Sequence, residues 1–190
     1  MNLSPRNRRF PLVFFNTEPT SVCARVMGLE AFTDPLSLPA GTTIGGQTID
    51  STNRIVNATG STLTISKATH DGKIITLNRA LGIAVALPNA TGTGSVYTFV
   101  NMTALSGGSH VLTRGVTGDS MTGICTIGAA ATTDVGFLTA SNSNVITLNA
   151  TTSGGLGGDL IQLIDVATNQ WWCNLELWGS GSIVTPFSHT

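Results

Sequence analysis

The chain predicts an all-β fold: a jelly-roll-like β-sandwich or barrel carrying an extended N-terminal arm. Three observations carry that expectation. From about Gln47 onward, short apolar runs and turn residues recur every 8–12 residues with no helical period between them. Within those runs side chains alternate at the period of a strand. In Ile83-Ala84-Val85-Ala86-Leu87 the large residues Ile83, Val85 and Leu87 share one face, and Ala84 and Ala86 share the other. Finally, charged residues are only 10% of the chain while 22 residues are glycine. Such a neutral, Gly-rich composition suits many short strands joined by tight turns, and its hydrophobic fraction of 41% argues against disorder.

At 190 residues the chain reads as one domain with an extension. A chain of this size buries roughly 70% of its unfolded surface and needs no staple. Residues 1–46 read as an N-terminal arm and linker, and residues 47–190 as the β-sandwich domain. In the arm, Pro5, Pro11 and Pro19 exclude a continuous helix. Arg6, Arg8 and Arg9 precede Phe10, Phe14 and Phe15. The apolar run 10–15 is six residues long and contains Pro11, too short and broken for a secretory leader. A Phe left in water forgoes roughly 1.5–3 kcal/mol of burial, so Phe10, Phe14 and Phe15 are expected to dock the arm on its own domain or on a neighbour. Arg6, Arg8 and Arg9 are expected to meet an acidic patch of a partner protein or of a neighbouring subunit.

Residues 22–32 have the one plausible helical spacing, Val22, Val26 and Leu29, interrupted by Gly28. Residues 33–46 hold two prolines and three glycines and read as a linker. Strands are expected over 62–66, 73–78, 83–87, 95–100, 110–114, 122–127, 145–149, 160–166, 171–177 and 182–185. The three strands between 73 and 100 are expected to form a β meander. Turns fall at 106–109, 141–144, 153–159 and 179–181. Ile75-Thr76-Leu77-Asn78 recurs as Ile146-Thr147-Leu148-Asn149, which would fit two halves of a duplicated sandwich.

Residues able to carry chemistry are sparse. Cys23, Cys125 and Cys173 have neither disulfide nor metal-ligand spacing and read as buried free thiols. His70, His110 and His189 are isolated, and Asp71-Gly72 reads as turn chemistry. Gly154-Gly155-Leu156-Gly157-Gly158-Asp159-Leu160-Ile161 matches one copy of a calcium-roll repeat, but such sites are shared between stacked copies, so it reads as a flexible turn. Adjacent Trp171 and Trp172 should point to opposite faces, one into the core and one outward. No nucleophile elbow, phosphate loop or zinc-protease motif occurs. The expectation is therefore no catalytic residue, metal or cofactor. A net charge of −1 gives no electrostatic case for nucleic acid or an anionic membrane.

The run Asp71-Gly72-Lys73-Ile74-Ile75-Thr76-Leu77-Asn78, continued by Gly82, Val85, Leu87-Pro88, Ala90-Thr91-Gly92, Gly94, Tyr97 and Phe99-Val100, resembles the capsid decoration (cement) proteins of tailed bacteriophages. The stretches 118–123, 145–149 and 158–165 fit the same pattern, so the resemblance covers roughly 60–187. It implies a virion structural protein that decorates and stabilises the capsid shell as a homotrimer at capsomer junctions. It also implies the major capsid protein as partner, assembly in the host cytoplasm and residence on the capsid surface. The competing expectation is a tail- or head-fibre receptor-binding module that recognises a host glycan through exposed aromatics.

Overall fold

The computed structural model describes residues 43–44, 47–48, 54–129 and 133–190, all within a unit that runs Leu38–Thr190. The arm, its candidate residues Arg6, Arg8, Arg9, Phe10, Phe14 and Phe15, the helix expected over 22–32 and Cys23 lie outside the described residues. In chain order the elements are β1 (Thr43–Ile44), β2 (Gln47–Thr48), β3 (Ile55–Ala58), β4 (Thr62–Thr64), a one-turn helix α1 (Lys67–His70), β5 (Ile74–Leu77), β6 (Ala84–Ala86) and β7 (Val96–Asn101). They continue with β8 (His110–Thr113), β9 (Ser120–Ala129), β10 (Val135–Leu138), β11 (Val145–Leu148), β12 (Leu160–Ala167), β13 (Gln170–Gly179) and β14 (Phe187–Ser188). β1 falls inside the stretch read as a linker and pairs with β2 as a separate hairpin.

The fold is an all-β sandwich. A seven-stranded sheet, in the order β10-β9-β13-β12-β7-β5-β3, faces a five-stranded one, in the order β14-β11-β8-β6-β4. The expected alternation holds in detail. Ile83, Val85 and Leu87 are buried between the sheets while Ala84 and Ala86 face out. Tyr97 and Phe99 are buried, and Val96, Thr98 and Val100 turn the other way. The core joins both inner faces: Ile75, Phe99, Leu163 and Leu175 from the larger sheet meet Leu112, Ile146 and Leu148 from the smaller. Trp171 and Tyr97 pack within it with ring centroids 5.8 Å apart and planes tilted by 53°, inside the distance range of attractive aromatic pairs.

The connectivity corrects the meander. From β3 to β8 the chain changes sheet at every strand, so β3, β5 and β7 are parallel neighbours in one sheet and β4, β6 and β8 in the other. β5 and β7 thus pair with each other, and β6 lies across the core from both. A meander needs each strand to hydrogen-bond to the next, whereas here each connection crosses the sandwich edge. The crossing loops stack on one another. At Gly82, with φ of +85°, a Cβ would lie 2.1 Å from the Ser109 carbonyl oxygen, so only glycine lets the β5–β6 and β7–β8 loops lie together.

Beyond β8 the winding gives way to mixed pairing. β11 runs antiparallel to β8, β12 antiparallel to β7 and β13, and β13 parallel to β9. The β12–β13 hairpin closes on Thr168-Asn169, with Asn169 at φ 61°, the left-handed conformation that Asn tolerates best after Gly. The two Ile-Thr-Leu-Asn segments lie in opposite sheets, one parallel to its neighbours in β5 and one antiparallel in β11, and so do not occupy equivalent places. No strand forms over 182–185. Pairing waits for β14, beyond Pro186, which has no N–H to donate.

Candidate binding face on the seven-stranded sheet

The histidines and the glycine-rich turn are used structurally. His110 is fully buried and bridges the sheets. Its Nδ1 accepts from the Ile83 N–H at 3.1 Å, and its Nε2 lies 3.2 Å from Asn101 Oδ1. That set of partners requires a neutral ring protonated at Nε2. Burial pushes its pKa down to about 4. His70 caps its own turn, with Nδ1 3.1 Å from the Ser66 N–H, and burial lowers its pKa. The adjacent Asp71 points away from it, accepting from Val96 N–H at 2.9 Å and the Ser95 hydroxyl at 3.2 Å.

Asp159, in the turn that resembles a calcium repeat, is buried and accepts the Gly155 N–H at 2.5 Å and the Trp178 N–H at 2.7 Å. Its oxygens face N–H dipoles, the opposite of a cation's requirement. Burial raises its pKa, partly offset by these donors. Gly154 and Gly155 are themselves buried, so the turn is packed, not loose. Asp165 is the second loop anchor. It accepts the backbone N–H groups of Thr91, Gly92 and Thr93 at 2.8, 2.6 and 3.1 Å, and the hydroxyls of Thr91 and Thr93. Burial alone would raise its pKa, but donation from Thr93, Gly92 and Thr91 outweighs it and the net shift is downward. Among the described residues no three His, Cys, Asp or Glu side chains come together to hold a metal ion. The Cys125 and Cys173 thiols are buried and pushed up to about 12, the former by burial and then by its neighbours Cys173 and Asp159, so neither is a nucleophile at neutral pH.

What distinguishes the molecule is the outer face of the seven-stranded sheet. One row, set by the strand register, runs Leu138, Ile124, Asn174, Gln162, Thr98, Ile74 and Ile55. The next runs Thr122, Trp172, Ile164 and Val96. Several of these large side chains are well exposed: Leu138 at 76%, Ile55 at 54%, Ile74 and Ile124 at 42% and Trp172 at 36%. As alternation predicted, Trp171 enters the core and Trp172 faces out.

Towards the C-terminal end of β13 the same face opens into a cleft of about 510 Å³ lined by Val100, Thr126, Leu160, Glu176, Trp178 and Asp134. Trp178 is 54% exposed. Its ring rests on Gly128, where a Cβ would stand 2.9 Å from Cζ3, so the absent side chain is what lets the indole lie against β9. Sequence reading identified the tryptophans but not this cleft, because Asp134, Gly128 and Glu176 meet only through β9–β10 and β9–β13 pairing. Among the described residues, no helix is long and apolar enough to cross a membrane. Compared with protein-family models, curated proteins and solved structures, the chain gives no match.

Proposed function

We propose that this chain is a structural protein of a tailed-phage virion that decorates and cements the capsid shell, and that three copies associate through the outer face of the seven-stranded sheet. The observation that carries the reading is the character of that face. Among its described strand residues Glu176 is the one charged side chain, while isoleucine, leucine, valine and tryptophan recur across all seven strands. Seven strands at ~4.8 Å spacing span roughly 30 Å, and a sheet of that width presents several hundred Å², the order of the ~800 Å² per partner of a stable interface. Exposed apolar patches of that extent mark interaction sites. The motif resemblance around 71–100 supports the placement in a virion.

In this reading the chain does no chemistry and holds no cofactor. It stabilises the shell by mass action, because it binds the assembled lattice and not its loose subunits. The arm supplies the contact to the major capsid protein, with Phe10, Phe14 and Phe15 entering apolar pockets and Arg6, Arg8 and Arg9 adding salt-dependent contacts. The test is co-sedimentation with shells that lack the protein, together with the heat resistance of those shells. Binding is expected at roughly micromolar concentration, and deletion of residues 2–20 should weaken it by at least about tenfold while the trimer persists. If the intact chain stays in the supernatant and the shells melt unchanged, the reading fails.

A further inference from the structure

We propose that the cleft at the end of β13 binds a neutral glycan, with one sugar ring stacked on Trp178. The platform is prebuilt. The benzene ring of the indole is seated against Gly128, and the side chain as a whole is 54% exposed. The strand beneath it is held by the buried carboxylate of Asp159, which accepts the Trp178 N–H at 2.7 Å and ties the glycine-rich turn to β13. That turn thereby gains a use beyond connection, since Gly158 lines the cleft. The apolar face of a pyranose, where C–H groups point outward, suits the electron-rich face of an aromatic ring. Sugar hydroxyls then need acceptors around the rim, and Glu176, Asp134 and the Thr126 hydroxyl stand there. Hydrogen bonds from hydroxyl to carboxylate are the stronger, charge-assisted kind. Val100 and Leu160 complete an apolar wall.

The charge decides among glycans. The lining holds two carboxylates and no lysine, arginine or histidine, so sialic or uronic acids would meet like charge, and a neutral chain of hexoses or N-acetylhexosamines fits. The volume lies within the range of small-molecule sites. The cleft lies on the same sheet face through which the trimer is proposed to form, one outward row along from Ile124, Asn174, Gln162 and Thr98, and glycan binding does not depend on the shell reading.

The test is titration of the full chain with soluble oligosaccharides of glucose, galactose, mannose and N-acetylglucosamine, and with sialyllactose as the acidic probe, followed by tryptophan fluorescence and calorimetry. At least one neutral probe is expected to bind with Kd on the order of 0.1–1 mM and to shift the emission. Trp178→Ala should weaken binding at least about tenfold, Trp178→Phe less, and Glu176→Gln severalfold, with Thr64→Ala on the opposite sheet unchanged. Melting curves of the variants show whether each is folded, and Trp178→Phe keeps the test alive if the alanine variant is not. The proposal is overturned if no neutral probe binds at ~10 mM, if sialyllactose binds best, or if Trp178→Ala binds as well as the parent. Loss of trimer or of shell binding in Trp178→Ala, with no glycan bound by the parent, would assign the cleft to a protein contact instead.

Discussion

The two outer faces of the sandwich differ although they cover one core. The seven-stranded sheet turns Ile55, Ile74, Ile124, Leu138, Ile164, Trp172 and Trp178 outward. The five-stranded sheet turns out Thr62, Thr64, Ala84, Ala86, Val111, Thr113, Thr147 and Ser188. Neither is protected by charge, and alternation alone satisfies both. Small β-branched and hydroxyl side chains make a finished surface that water wets. Large aliphatic and indole side chains at the same pleat positions make one that forgoes burial until something covers it. The lesson is that the inner half of the alternation specifies the fold, while the outer half is free to specify a partner.

The sharpest way to break the comparison is to cut the core beneath each face. Leu163 and Leu112 are fully buried on opposite sheets. Leu163→Ala and Leu112→Ala should each cost about 2–5 kcal/mol in urea unfolding, because the cavity opens in the same shared core. If only one of them is costly, the two sheets do not form a single cooperative core.

A slightly smaller effect comes from pH at the joint between the sheets. His110 is depressed from 6.5 to about 4 in the folded state. Between those values the unfolded chain binds a proton that the folded chain refuses, so stability falls as pH drops below about 6.5, and the loss is complete below about 4. The full loss is about 3 kcal/mol, at ~1.36 kcal/mol per pKa unit. Asp159, raised in the fold, works in the opposite sense, adding stability as pH falls through its folded value. The difference between parent and His110→Gln in urea unfolding at pH 7 and pH 5 isolates the histidine. A parent and variant with the same pH slope would refute its role.

Next in size is association. Ile74→Lys with Ile164→Lys, in the middle of the apolar face, should weaken the proposed trimer at least about tenfold, or ~1.4 kcal/mol, by light scattering. The matched pair Thr64→Lys with Ala86→Lys, on the other face, should leave it intact. Equal effects from both pairs would remove the distinction between the faces. The smallest expected effect is Thr64→Ala or Thr113→Ala, within about ±0.5 kcal/mol of the parent in unfolding, since a surface already wetted loses little with one hydroxyl.

Much of this was legible along the chain. Strand positions and the inward set Ile83, Val85, Leu87, Tyr97 and Phe99 follow from period-two alternation, as does the opposite placement of Trp171 and Trp172. β3 and β10 were not expected: Ile55-Val56-Asn57-Ala58 is short and follows a polar stretch, and Gly136 interrupts the apolar pattern of β10. The turns at Asp71-Gly72 and in 153–159 were visible as turns, but their anchors were not. Asp165 reaches Thr91, Gly92 and Thr93 across 72–74 residues of sequence. His110 likewise meets Ile83 from 27 residues away.

By itself, then, the sequence determined where most of the strands lie, which side of those strands is buried, and that charged residues are few. Those properties depend on side chains within a few positions of one another. The tertiary structure decided which sheet each strand joins, whether neighbours run parallel or antiparallel, and that Glu176, Trp178 and Asp134 share a cleft. A connection of five to ten residues can close a hairpin or cross a sandwich with equal ease. The choice is made by the whole core at once, where burying both inner faces together outweighs any local preference for pairing with the next strand.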